Sequence, residues 1–256
     1  MKASENMIEL PRRDFKGSRL RCLLMTSQGD AEVAKFFQSM VGEQASVGSN
    51  DIAAPRGFLH ADEAKLGEIP GFLSERDRAE VTRWWLARTG RANTPNWDLL
   101  CNCTVGGKRG LILVEAKAHD GEFSDGGCAA TDGGNVDQIR KAIDLASRGL
   151  NELKPGFALS AERHYQLSNR FAFAWKVAKM GVPVVLVYLG FLDAQDMAAN
   201  GRLLFKNHAQ WTDCVSAKSK GIVPKDIWGS TRSVDGTPLT ILIRSAEVRI
   251  DARMRH

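Results

Sequence analysis

Residues 96–117 read Asn96-Trp97-Asp98-Leu99-Leu100-Cys101-Asn102-Cys103-Thr104-Val105-Gly106-Gly107-Lys108-Arg109-Gly110-Leu111-Ile112-Leu113-Val114-Glu115-Ala116-Lys117. The Gly106-Gly107 pair adopts positive φ angles without steric cost, which is what a two-residue hairpin turn requires. With the turn placed there, Val105 opposes Lys108, and the register carried back from that pair sets Asp98 against Glu115 on the adjacent strand. One face then carries Trp97, Leu99, Cys101, Cys103 and Val105 against Ala116, Val114, Ile112 and Gly110. That is the apolar surface of a sheet packed on a core. Asp98, Asn102 and Thr104 fall on the other face with Lys117, Glu115 and Arg109. Glu115 and Lys117 are two apart, so they share that face while Ala116 turns inward.

Two carboxylates opposed on neighbouring strands repel, and one is driven towards protonation unless a cation lies between them. Lys117 supplies part of that charge. A divalent ion supplies more, and two carboxylates with a backbone carbonyl form a hard-oxygen donor set suited to Mg²⁺. The same residues also fit a cross-strand salt-bridge cluster with no chemistry, because ion-pair networks gather charges too.

The pattern of Asp98, sixteen intervening residues and then Glu115-Ala116-Lys117 at the end of an apolar strand resembles the PD-(D/E)xK nuclease superfamily. The motif's proline is displaced: Asn96-Trp97 precede Asp98, and the nearest proline is Pro95. The resemblance implies a restriction-endonuclease-like α/β core, with a mixed central β-sheet flanked by helices. It also implies roles. Asp98, Glu115 and the carbonyl of Ala116 hold Mg²⁺, for which Mn²⁺ substitutes, and Lys117 positions or activates the attacking water. The implied activity is phosphodiester hydrolysis, on DNA in preference to RNA, leaving a 5′-phosphate.

Elements around the hairpin suit such a core. Ser74-Glu75-Arg76-Asp77 is a capping-box-like helix start, followed by Val81, Trp84 and Trp85 at helical spacing to about Ala87, with Gly90 beyond. Asn135 is the expected N-cap of a helix whose apolar face is Val136, Ile139, Ile143, Ala146 and Leu150. A second helix is expected from about Arg163 to Met180. Behind Pro183, the run Val184 to Leu189 reads as a strand buried on both faces, and a last strand spans Leu239 to Ile243. The nuclease-like domain is expected over residues 74–256, with 1–73 as an N-terminal extension in which Ala31 to Val41 is helical and Ala45 to Pro70 mostly irregular. The alternation of elements indicates an α/β class.

Three further features belong with the site. Gln166, Asn169 and Arg170 lie on one side of the second helix, where some nucleases of this fold carry a helical glutamine. Glu80 on the first helix is a candidate third acid, with Glu75 as its competitor. The glycine-rich segment Asp120 to Gly134 is expected to form a mobile loop at the mouth of the site. His119 beside it reads as structural.

The 256-residue chain has a net charge of +5 and a pI near 9.0, which suits a polyanionic partner. Basic residues cluster at Arg12, Arg13, Lys16, Arg19 and Arg21, and again at Arg244, Arg249, Arg253 and Arg255. Arg12, Arg13, Lys16 and Arg109 are the candidate nucleic-acid contacts, each neutralised phosphate making binding more salt-sensitive. No helix-turn-helix, zinc-finger or RRM signature is present. Cys101 and Cys103 face the core in the proposed register, and no second ligand pair completes a zinc site. Five cysteines give no disulfide framework. No signal pattern and no bilayer-length apolar stretch appear, so a cytoplasmic protein is expected, with no membrane partner. Double-strand cleavage would call for a homodimer or two successive nicks. Two alternatives stand beside the nuclease: a catalytically idle nucleic-acid-binding or scaffold subunit on the same fold, and an effector nuclease active only with a partner protein or ligand.

Overall fold

In a computed structural model, the described residues are 16–90, 92–123, 125–198 and 201–250. The chain opens with helices α1 (Gly17–Thr26) and α2 (Asp30–Val41), then two short strands, β1 (Ala53–Ala54) and β2 (Ala64–Lys65). Helix α3 (Glu75–Trp85) leads into β3 (Asn96–Trp97), β4 (Leu99–Val105) and β5 (Lys108–Lys117). Helices α4 (Gly133–Leu153) and α5 (Tyr165–Lys179) precede β6 (Val184–Leu192), α6 (His208–Ser219), β7 (Ser230–Val234) and β8 (Thr237–Glu247). The protein is α/β, with a mixed six-stranded sheet in the order β1-β4-β5-β6-β8-β7. β5, β6 and β8 run parallel to one another, while β1, β4 and β7 join antiparallel.

The hairpin register follows from its turn. Gly106 and Gly107 have φ of 55° and 78°, and the ladder runs from Val105↔Lys108 to Leu99↔Val114. It stops there. Asp98 occupies a bend between β3 and β4, and β3 leaves to pair with β2, Ala64 opposite Trp97. This bend corrects the expected placement of Trp97. Instead of sharing a face with Leu99, its indole packs in the opposite cluster with Leu100 and Leu113.

Both faces of the sheet are covered. Leu99, Cys101, Cys103, Ile112, Val114 and Ala116 pack beneath Phe36, Phe37 and Met40 of α2 and Cys22 of α1. The face expected to be polar is apolar through its middle: Leu100, Leu111 and Leu113 pack with Trp85, Ile143 and Phe173 from α3, α4 and α5. The four-residue apolar run Leu111 to Val114 is thus buried on both sides, as a central strand beside a parallel neighbour requires. Residues 17–73 therefore supply two helices to one face of the sheet and β1 to its edge, while Ala64 of β2 joins the cluster on the other face.

Ser74 caps α3 by accepting from the Asp77 N–H at 3.1 Å. The N-cap of α4 is Asp132, not Asn135, whose own N–H donates to Asp132 Oδ1 at 3.0 Å. Gly133 and Gly134 carry no apolar periodicity, so an apolar pattern does not reveal the first helical turn. The Asp120–Gly134 segment, expected to be a mobile loop, is tied to the rest of the fold at several of its described residues. The Asp120 N–H donates to the Leu203 carbonyl, Cys128 to Ala161, and His164 and Tyr165 donate back to Asp125 and Gly126. No helix among the described residues is long and apolar enough to cross a membrane.

Candidate active site at the end of the β5 strand

β5 ends between two layers, its last side chains alternating between them and its backbone edge left free of β4. Glu115 and Lys117 point into the α5–α6 layer and are buried, 1% and 4% exposed. Ala116 and Ala118 face α1 and α2. Past the start of β4, the freed edge of β5 is occupied by carboxylates: the Ala116 N–H donates to Asp98 Oδ2 at 2.7 Å, and the Ala118 N–H to Glu122 Oε2 at 2.7 Å. A strand residue directs its N–H and C=O to the same edge. The Ala116 carbonyl therefore lies on the edge that Asp98 occupies.

Glu115 is clasped by two cations. Lys117 Nζ donates to Oε1, and Arg170 Nε of α5 donates to Oε2 at 2.5 Å. The Arg170 guanidinium also donates to Asn169 Oδ1 at 2.9 Å and lies 4.6 Å from the Trp97 ring centroid, a cation–π contact. The β3–β4 bend is what brings that indole under Arg170. Lys117 stands 5.9 Å from the Phe123 ring, and Phe123 packs on Trp211 of α6. Trp211 seats against Gly190, the register partner of Lys117 on β6, where a Cβ would meet the indole at 2.5 Å. Only glycine leaves room for this wall of the site.

Charge is unevenly matched across the cluster. Burial alone would raise the Glu115 pKa, but Arg170 and Lys117 outweigh it and hold the carboxyl below its ordinary range. Burial would lower Lys117, yet the charges of Glu115 and Asp98 raise it overall. Asp98 lacks such help. Burial and the nearby Glu115 charge push it up to about 7, against the opposing pull of Lys117 and the Ala116 N–H. Asp98 is thus the member of the cluster most in need of a further positive charge.

The sequence-derived candidates divide clearly. Asp98, Glu115, Ala116 and Lys117 converge, and Arg170 proves to be the direct partner of Glu115. Gln166 lines a narrow crevice with Glu115, Lys117, Tyr188 and Lys218. Glu80 pairs instead with Lys176 at 2.6 Å. Arg109 lies at the turn end of β5, roughly 27 Å along the strand from Lys117, and donates to the Gly71 carbonyl. Lys16 is exposed at the start of α1, next to Gly17, which abuts Glu122. Arg12, Arg13, Arg253 and Arg255 lie outside the described residues. Two other basic residues are committed to the fold: Arg21 is buried on Asp196, and Arg244 donates to the Met40 carbonyl.

Sequence reasoning missed Glu122, Trp97 as the support of Arg170, Tyr188, and the Phe123–Trp211 wall. Glu122 follows Lys117 closely enough that its edge-capping role had a signal, an acid just past a strand end. The others are assembled from distant segments. Cys22 of α1 packs in the cluster that holds Ala116, its thiol pKa raised by burial and then by the charges of Asp98 and Glu122. Among the described residues, no group of three or more His, Cys, Asp or Glu side chains is arranged to hold a metal. An ion here would rely on two carboxylates and a carbonyl. No family model, no curated protein and no solved structure matches the chain.

Proposed function

We propose that the protein is a Mg²⁺-dependent nuclease of restriction-endonuclease-like fold, hydrolysing phosphodiester bonds in nucleic acid, DNA in preference to RNA. The observation that carries this reading is the convergence of Asp98, Glu115, the Ala116 carbonyl edge and Lys117 at one strand end, with Asp98 short of positive charge. Asp98, Glu115 and the Ala116 carbonyl would hold the ion, and Mn²⁺ would substitute. When bound, the ion polarises the scissile phosphate and lowers the pKa of an attacking water.

The remaining work falls to the chain's own groups. Glu115 would exchange Lys117 for the ion while Arg170 keeps its other oxygen fixed. Lys117, released from that pair, orients the water and stabilises charge growing on the phosphate oxygens. Water oxygen bonds to phosphorus as the bond to the 3′ oxygen breaks, leaving a 5′-phosphate. Five free cysteines support a reducing, cytoplasmic setting. A dimer or a partner protein would be needed to cut both strands in one encounter.

One observation favours a second reading. Both Glu115 oxygens are already held by cations, as in an idle scaffold whose ion cluster is structural. The test is cleavage of supercoiled plasmid and of labelled DNA and RNA strands in Mg²⁺ or Mn²⁺. Wild type is compared with Asp98→Ala and Lys117→Ala, with EDTA as control. Loss of at least about 100-fold in both variants is expected, with none surviving EDTA. Equal cleavage by all three proteins would overturn the assignment. A wild type that neither cleaves nor binds Mn²⁺ would favour the scaffold.

A further inference from the structure

β6 is aliphatic through the sheet centre except at Tyr188, which opposes Glu115 in the parallel ladder. Its ring is packed on all sides, 5.2 Å from Trp228 and 6.2 Å from Phe171 between centroids. A phenylalanine would satisfy that packing. The hydroxyl is the unexplained part: Tyr188 is 1% exposed, and Oη has no hydrogen-bond partner among the described residues. A buried hydroxyl left unmatched carries its full desolvation penalty with nothing to offset it. Several indole and guanidinium nitrogens are also unmatched in the interior. Tyr188 differs from them in position, since it lines the crevice formed with Glu115, Lys117, Gln166, His164 and Lys218.

The phenol makes no hydrogen bond to Glu115, whose two oxygens accept instead from Lys117 and Arg170. The crevice has room for about one small oxygen ligand. Its rim carries Lys117, Lys218 and Gln166, with the Asp125 carboxylate lying 3.2 Å from His164 Nδ1 and 3.7 Å from Lys218 Nζ.

We propose that Tyr188 is a positioning residue of this site, its hydroxyl donating to a single oxygen ligand held in the crevice beside Lys117. The ligand is either a water or one non-bridging oxygen of a phosphate. The activity arm of the test rests on the nuclease reading, whereas the structural arm does not.

The experiment compares full-length wild type with Tyr188→Phe, which keeps the ring and the fold. In a cleaving enzyme the kinetics decide. A fall in kcat of about tenfold or more, with KM unchanged, identifies the water. A comparable rise in KM, matched by weaker binding of a duplex in Ca²⁺, identifies the phosphate oxygen. Unaltered kcat and KM overturn the proposal and leave the nuclease assignment intact. If wild type does not cleave, the nuclease reading fails by itself, and a crystal structure grown with inorganic phosphate decides the Tyr188 question. An oxygen of water or phosphate within hydrogen-bond distance of Oη, inside the crevice, supports the assignment. A protein group on Oη, or no oxygen there, overturns it.

Discussion

Helix α5 holds two acids with two cations, and the pairs differ in almost everything except chemistry. Arg170 grips Glu115 where both side chains are buried, 7% and 1% exposed, at 2.5 Å. Lys176, two turns further on, holds Glu80 where the acid is 37% exposed, at 2.6 Å. The distances are nearly equal, so distance is not what separates them. Water is. At Glu80 solvent screens the pair and would re-hydrate the acid if it were left alone. At Glu115 neither partner has that refuge, so each depends on the other, and a second cation, Lys117, completes the set. The sequence offers Glu80 and Glu115 as candidate acids of one site. The structure separates them by burial: Glu115 is enclosed between two cations, whereas Glu80 meets water.

The comparison breaks most readily at Arg170. Arg170→Met should leave Glu115 with Lys117 alone in a desolvated environment and cost about 3–5 kcal/mol, read as a lowered midpoint in denaturant unfolding. A cost near that of an exposed pair would mean that water reaches Glu115 and that the two regions are alike.

A smaller effect sharpens the contrast through pH. The Asp98 carboxyl, at about 7 in the folded chain, lies above its unfolded value of about 3.9. Between those values the folded state binds the extra proton. Asp98 therefore favours folding below pH 4, and that contribution is lost as pH rises through 7. Asp98→Asn should remove the dependence, making the variant more stable than wild type at pH 8 by on the order of 1–2 kcal/mol and by less at pH 5. Glu115, with its lowered pKa, acts in the opposite sense and below this window. Millimolar Mg²⁺ should raise the wild-type midpoint at pH 8 and leave Asp98→Asn unmoved, as expected when an ion binds only the folded state.

The smallest effect is expected at the exposed pair. Lys176→Ala should change stability by about 0–1 kcal/mol and leave cleavage unaltered. A large loss of cleavage there would return Glu80 to the site.

Local chemistry makes much of this protein legible from its amino-acid sequence alone. Gly106-Gly107 dictates the hairpin because two consecutive positive φ angles suit few other residues, and the pairing from Leu99 to Val105 follows by counting. Ser74 and Asp77 announce the start of α3, apolar spacing announces the body of α4, and a continuous apolar run announces β6. Those signals depend on residues within a turn or two of each other, where backbone sterics and periodicity decide the outcome. What lies beyond their reach is set by segments that meet only in three dimensions. The bend at Asp98 turns Trp97 to the other layer because β3 finds β2 as a partner. Arg170 reaches Glu115 across 55 positions of chain because α5 packs over the parallel pair β5–β6. The burial that parts Glu115 from Glu80, and leaves Tyr188 Oη without a partner, is a property of the closed layers, since a side chain's solvent is chosen by everything packed around it.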